Sequence, residues 1–349
     1  MGIIKLPKKS IENFSLEYKK IFETGSLAEG DWNKSLSKLV AEISNAKGCV
    51  TVASNGTGLM CLLQIYKENH NRKNILIQSN TMYGMYTMSM SSGYIVEGYI
   101  ECSLNTLMPS LQQIKTSVEN IKCKKDELVI LLSHMGGIIN PEVEEIAKYC
   151  KFNKIILLED CAHSFGATYN NKHSGLFGDA GVYSFYSTKA IPAGEGGAIV
   201  SNDEELISFA DRYTKYDRFE RKFQIGNNIR LSELQALLIF CVVKEYKEII
   251  NNKKVIANLY KETCLSLNIN FIDQNSNNHI GNHYKFVIYC DDLMIKDFLP
   301  KLVTKTSEIY DYSLCGSDFI PKHHICLPIW YNQERKITDS VIHELHDNY

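Results

Sequence analysis

"LLEDCAHSFGATYNNKHSGLFGDAGVYSFYSTKAIPAGEGGAIVSND", residues 157–203, decides the fold. It opens inside an apolar run, "KIILLED" at 154–160, that reads as a strand ending in two carboxylates. Two further β-type runs follow, "GVYSFYS" at 181–187 and "GAIVSND" at 197–203, with glycines between them. The link is too short for a crossover helix, so this part of the sheet is expected to turn antiparallel. Lys189 sits in that stretch among small, aromatic and aliphatic residues, and is read as lying on the strand next to the one that ends at Asp160.

Upstream, helical and strand patterns alternate. "DWNKSLSKLVAEISNA" places Leu36, Leu39, Val40 and Ile43 on one 3.6-period face. "CVTVAS" reads as a strand that breaks at "NGTG" before the helical "LMCLLQIYKE". "NILIQS" and "ELVILLS" are further strands, and "PEVEEIAKYCK" is a helix opened by proline. Strands separated by helices imply an α/β fold whose large, mostly parallel mixed sheet is covered by helices. Downstream, "LSELQALLIFCVVKEYKEII" reads as one long helix. "NHYKFVIYC", a helical "IKDFLPKLV" and a closing helix after "ICLPIWYN" follow it. These give a smaller α+β C-terminal domain, with residues 1–245 forming the large domain and 246–349 the small one.

Composition narrows the function classes. With 38 basic and 40 acidic residues and a net charge of -2, the 349-residue chain has no general attraction to nucleic acid or anionic membrane. No apolar run reaches the length of a membrane span, and the N-terminus lacks a signal-peptide core, so a soluble, unprocessed protein is expected. Eleven cysteines without a C-x-x-C spacing fit neither a zinc ribbon nor a disulfide framework. A reducing cytoplasm and no metal follow as expectations.

Three features carry chemistry. "SNGTG" at 54–58 joins a strand to a helix, so backbone N–H groups and the Thr57 hydroxyl stand at a helix N-terminus suited to a phosphate. It is neither a P-loop nor a dinucleotide fingerprint. Asp160 ends a very apolar strand, where a carboxylate is costly unless it meets a cation or donors. Together with Lys189 these are the contacts pyridoxal 5′-phosphate demands: a phosphate cradle, a carboxylate for the pyridine nitrogen, and an amine.

With that constellation in view, the chain resembles the DegT/DnrJ/EryC1/StrS family of pyridoxal-phosphate sugar aminotransferases, on the fold type I architecture. The resemblance rests on the 157–203 block, with "GSLAEGDWNKSLSKLVAEI", "ASNGTGLM", "SHMGG", "IGNNIRLSELQA", "NHYKFVI" and "ICLPI" in matching order. It implies that Lys189 is the Schiff-base lysine, Asp160 the pyridinium partner and His163 the residue at the ring oxygen. It places Gly56, Thr57, Gly58 and Ser184 at the phosphate, and Asn228 at the phosphate of a neighbouring subunit, so that the active unit is a homodimer with shared sites. Counting through "SNTMYG" puts Met82 where the family carries an aromatic residue stacked on the pyridine face.

The activity implied is amino transfer, with glutamate as donor and a nucleotide-linked keto sugar as acceptor, for amino-sugar and surface-glycan synthesis. A sugar dehydratase on the same fold is opposed by Lys189, since that branch typically carries histidine there. A non-catalytic sugar-nucleotide-binding homologue is supported only by Met82, and a dehydrogenase lacks its fingerprint.

Overall fold

The computed structural model describes residues 4–222, 225–276, 278–291 and 306–348; the expected helix at 295–303 lies outside them. The chain runs α1 (Lys8–Thr24), α2 (Asp31–Ser44), β1 (Gly48–Val52), α3 (Asn55–His70), β2 (Asn74–Gln78), α4 (Gly84–Ser91) and β3 (Ile95–Ile100). It continues through α5 (Leu111–Glu119), β4 (Leu128–Ser133), α6 (Val143–Phe152) and β5 (Ile156–Cys161). A small hairpin, β6 (Thr168–Tyr169) and β7 (Lys172–His173), precedes β8 (Ala180–Ser184), β9 (Gly197–Ser201), α7 (Glu204–Tyr213) and α8 (Glu233–Val243).

β1, β2, β3, β4, β5, β8 and β9 form one seven-stranded sheet in the order β1-β9-β8-β5-β4-β2-β3. The pairs β8–β5, β5–β4, β4–β2 and β2–β3 are parallel, and β9 runs antiparallel to both β1 and β8. The mostly parallel mixed sheet and its antiparallel turn are as expected from the sequence. β2 and β4 are buried along their whole length, which is the condition of strands covered on both faces. Alternation then sorts their side chains. Val129 and Leu131 of β4 join the layer beneath α3, while Leu128, Ile130 and Leu132 join the opposite layer with Ile114 of α5 and Ile146 of α6. At the other end of the sheet, Leu36 and Val40 of α2 pack with Ile239 and Val242 of α8 against β8 and β9.

The remaining elements are α9 (Tyr246–Ser266), β10 (Asn270–Phe271), β11 (His279–Ile280), β12 (Phe286–Tyr289), α10 (Phe319–His323), β13 (His324–Leu327) and α11 (Arg335–Asn348). β10, β12 and β13 make a three-stranded antiparallel sheet. One face packs Phe286, Ile288 and Leu327 against Tyr260 of α9 and Val341 and Leu345 of α11. The other presents Val287 and Cys326 to Leu107, Met108, Met135 and Ile138 of the loops around the large sheet.

Local readings are corrected at three places. α3 starts at Asn55, so the two glycines of "SNGTG" lie inside its first turns instead of before it. The single helix expected over 231–250 is two, α8 and α9, separated at Lys244 and Glu245. Pro141 stands two residues before α6, whose first residue is Val143.

"LLEDC" carries two carboxylates with different work. Glu159 points away from the Asp160 side of the strand and is fully buried. Its Oε1 accepts from the Phe177 and Gly178 N–H groups, and its Oε2 from Gly175 N–H, each at 2.7 Å. The His134 ring sits 2.7 Å from Oε2; because His134 Nδ1 accepts from Asn140 N–H at 3.1 Å, Nε2 carries the proton and donates to Glu159. His134, Glu159 and Cys161 bring metal-ligand atom types within 4.8 Å of one another, but the carboxylate's acceptor sites are already filled by these four donors. Glu159 thus fastens the 175–178 loop and the "SHMGG" segment to β5. Truncation by Glu159→Ala would orphan all four donors, and is expected to cost about 3–5 kcal/mol of stability in denaturant titration. A loss below about 1 kcal/mol would show that the loop is held by other contacts.

Candidate active site

The parallel strands β4, β5 and β8 end side by side, with Ser133 opposite Asp160 and Asp160 opposite Val182. Open α/β sheets bind ligands at these carboxyl ends. Asp160 is buried there, and every bond it makes fixes its orientation. Oδ1 accepts from Asn55 Nδ2 and from Ala162 N–H, both at 3.0 Å, and Oδ2 accepts from Ser133 Oγ at 3.1 Å. Asn55 Nδ2 also donates to Val182 O at 2.7 Å, so the first residue of α3 is tied both to the carboxylate and to β8.

That tie sets the helix terminus beside the carboxylate. Ser54 caps α3: its Oγ accepts from Thr57 N–H at 3.1 Å, while Thr57 Oγ1 accepts from Ser54 N–H at 3.0 Å. Gly58 N–H donates to Ser54 O, and a Cβ on Gly58 would stand 2.7 Å from Val182 Cγ1. Gly58 therefore serves close packing of helix on sheet, with its N–H already used. The first-turn N–H groups of Asn55 and Gly56 have no intrahelical acceptor and mark the positive end of α3. Ser184 is buried at the end of β8, where its Oγ accepts from Tyr186 N–H at 3.3 Å.

Lys189 is not on a strand. It stands in the turn after β8, with its N–H donating to Tyr186 O at 2.9 Å, and the loop closes through Ser187 N–H to Gly194 O at 2.8 Å. Its Nζ lies 5.7 Å from the centre of the Tyr284 ring and has no ion-pair partner among the described residues. His163 is the next neighbour: its ring centre is 4.6 Å from that of Tyr284 and 6.2 Å from that of Tyr310, which it stacks on. His163 Nδ1 is buried with no hydrogen-bond partner, while Asn282 Nδ2 holds the His163 carbonyl at 2.8 Å. Burial, then the Lys189 and Lys285 ammoniums, keep this imidazole well below its usual range, hence neutral at pH 7. Burial, then the Asp160 charge, push the Tyr310 phenol well above its usual range.

Asp160, His163, Lys189 and the α3 terminus are thus brought together at one end of the sheet. Met82 sits 40% exposed just ahead of α4. Beside it, Tyr83 N–H donates to Tyr312 Oη at 2.6 Å, and Tyr312 packs on Tyr310 with ring centres 5.7 Å apart. Aromatic surface thus arrives from the 310–312 segment. Asn228 is exposed, bridged to Lys215 on the far side of Ile229, whose carbonyl accepts from Ala53 N–H at 2.8 Å. Sequence reading missed Asn55, Ser133, Tyr284 and Tyr310. The first lies inside "SNGTG" and the third inside "NHYKFVI", but their partners are remote in the chain.

The sequence profile of the DegT/DnrJ/EryC1/StrS aminotransferase family matches residues 8–305. The chain belongs to this family. Among family relatives, GDP-perosamine synthase of Escherichia coli O157:H7 is 26% identical over 245 residues, which are 69% of this chain and 65% of that protein. The UDP-4-amino-4,6-dideoxy-N-acetyl-beta-L-altrosamine transaminase of Helicobacter pylori is 24% identical over 69% of this chain and 64% of its own length. The match therefore spans just under two thirds of either relative. Helicobacter pylori PseC, an aminotransferase involved in the biosynthesis of pseudoaminic acid, superposes with a TM-score of 0.84 at 20% identity, covering 100% of this chain and 98% of its own. A putative PLP-dependent aminotransferase from Bacillus cereus gives 0.85 at 20% identity, with 99% of both chains covered. These structures establish that the whole described architecture is the family's fold.

Proposed function

We propose that this protein is a pyridoxal-phosphate-dependent aminotransferase that moves an amino group, from L-glutamate, to a nucleotide-linked keto sugar. The observation that carries the reading is the convergence of an oriented buried carboxylate, an unpaired lysine and a helix N-terminus at the carboxyl ends of β4, β5 and β8. Support for the substrate class comes from the relatives, whose names are those of a nucleotide-sugar transaminase and a GDP-perosamine synthase.

The residues present fit the cofactor. His163 Nδ1 is a buried polar atom lacking a partner, as expected of a side chain that meets the ring oxygen. The α3 terminus, with Gly56, the Ser54 hydroxyl and Ser184, would hold the phosphate, joined by the Thr57 hydroxyl on turning from the Ser54 carbonyl to which it donates at 2.9 Å. Met82 and Tyr310 would border the ring. When bound, pyridoxal phosphate supplies the aldehyde that carries nitrogen and the electron sink that stabilises the α-carbanion.

The chain's own residues do the rest. Asp160, held by three donors, keeps a proton at the pyridine nitrogen by its fixed negative charge. Lys189 Nζ is the amine that would anchor the cofactor and, as a free base, would move the proton at the donor's α-carbon. His163 stays neutral and contributes a hydrogen bond without a competing charge. We take residues 1–245 and 246–349 as the cofactor-binding and smaller domains, and the active unit as a cytoplasmic homodimer in which Asn228 serves the neighbouring site. No helix among the described residues is long and apolar enough to cross a membrane.

The test is a visible spectrum of the protein reconstituted with pyridoxal phosphate, before and after L-glutamate. A visible band that shifts to the shorter wavelength of the amine form is expected. A bound cofactor indifferent to glutamate would remove glutamate as donor, and failure to bind would overturn the reading.

A further inference from the structure

A cavity of about 500 Å³ opens beside Lys189, between the turn that carries it, Ile4 and Lys5, α9, and the segments before β12 and after β13. Lys5, Lys189, Lys253 and Lys285 line it, with aromatic surface from Tyr284 and Trp330, and no Asp or Glu is among the described residues that line it. Several lysine side chains facing one cavity are a costly arrangement unless an anion completes it.

Lys253 makes the cost specific. It is 5% exposed, on α9, and its Nζ donates to Ala190 O at 3.2 Å, the carbonyl next to Lys189. An ammonium carries three donors, so one carbonyl leaves it under-satisfied. Burial, then the nearby Lys285 charge, bring its amine down to about 7, which an anion would reverse. Neither Lys253 nor Lys285 has an ion-pair partner among the described residues. Lys5 is directed elsewhere, its Nζ donating to Asn332 O at 3.0 Å. Lys285 and Lys189 lie against one ring, their Nζ atoms 5.2 and 5.7 Å from the centre of Tyr284. An anion at Lys253 and Lys285 is therefore close enough to belong to a molecule whose other end reaches Lys189.

We propose that this cavity binds the oxyanion of a substrate of the Lys189 site, held between Lys253 and Lys285: the carboxylate of the amino donor or a phosphate of the sugar nucleotide. The inference rests on the aminotransferase reading for what happens at Lys189. The anion site itself is testable without it.

The experiment uses the pyridoxal-phosphate-loaded protein and its Lys285→Met, Lys285→Arg and Lys253→Met variants. One arm measures the half-saturating L-glutamate concentration for the spectral change; the other measures binding of UDP, GDP and dTDP by calorimetry. Lys285→Met is expected to weaken one arm about 10-fold or more while the cofactor's visible band persists, with Lys285→Arg restoring most of it. A shift in the glutamate arm assigns the site to the donor carboxylate, and one in the nucleotide arm to phosphate. Lys253→Met should move the same arm; should it not fold, the half-buried Lys285 carries the test. Unchanged affinities in both arms with Lys285→Met would overturn the proposal. A protein that takes up no cofactor would sink the aminotransferase reading alone, because the nucleotide titration still reports on the lysines.

Discussion

Lys189→Ala is expected to lower turnover by at least about 10³-fold, because anchoring the cofactor and moving the α-proton both reside in one amine. The fold should be untouched: Lys189 stands in a turn, and its backbone bond to Tyr186 O does not need the side chain. Borohydride reduction of the loaded wild-type protein should fix the cofactor to the peptide containing Lys189 and to no other. Lys253, whose amine burial brings down to about 7 in the same cavity, is the control that gives this experiment its force. Labelling of Lys253, or turnover near wild type in Lys189→Ala, would move the reactive amine to α9. The same variant tests the shared site. In a purified heterodimer of Lys189→Ala and Asn228→Ala chains, the site with an intact lysine receives an intact Asn228 only if that residue crosses from the other subunit. Activity near half of wild type is then expected, whereas activity no better than half that of the Asn228→Ala homodimer would place Asn228 in its own subunit's site.

Much of this fold was legible because its strands are short, apolar and punctuated. "NILIQS" and "ELVILLS" are buried on both faces, so they read as continuous runs without needing register. The antiparallel β8–β9 pair followed from link length alone. What failed was local. β3, "IVEGYI", is an edge strand with a glycine and mostly half-buried side chains, so neither alternation nor an apolar run announces it. α8 and α9 fused in the reading because α8 is apolar on all sides, packed between α1, α2 and the sheet, and hides the break at Lys244 and Glu245. Lys189 was misplaced by a few residues, because "VYSFYS" continues a β-type composition beyond Ser184, where pairing stops.

The site was legible where one residue does one job, and illegible where two remote residues share it. Asp160 at a strand end and Lys189 in a small-residue context stand out singly. The bond from Asn55 to Asp160 spans 105 positions, and that from Ser133 spans 27, so no local pattern betrays either. The Tyr284 and Tyr310 rings around His163 come from segments that read as ordinary strand and loop.

Asp160→Asn isolates charge from geometry better than any other change in this site. An asparagine can keep its oxygen where Oδ1 stands, accepting from Asn55 Nδ2 and Ala162 N–H. Its amide then faces Ser133 Oγ, which must accept instead of donate. Ser133 can do so, because its hydroxyl lies 2.7 Å from Thr81 Oγ1 in a pair where either atom can be the donor. Both hydroxyls of that pair turn, Ser133 to donate to Thr81 and Thr81 to accept, so the carboxylate's three bonds keep their geometry while the negative charge is lost. Cofactor binding and the visible band should persist, with turnover falling by roughly 10²–10³-fold as the pyridine nitrogen loses its held proton. Asp160→Ala, by contrast, orphans the Asn55 and Ala162 donors and should cost stability as well as rate. If Asp160→Asn turns over at near wild-type rate with its cofactor bound, the carboxylate is a fastener between α3 and β5, and the proton at the ring is held by another group.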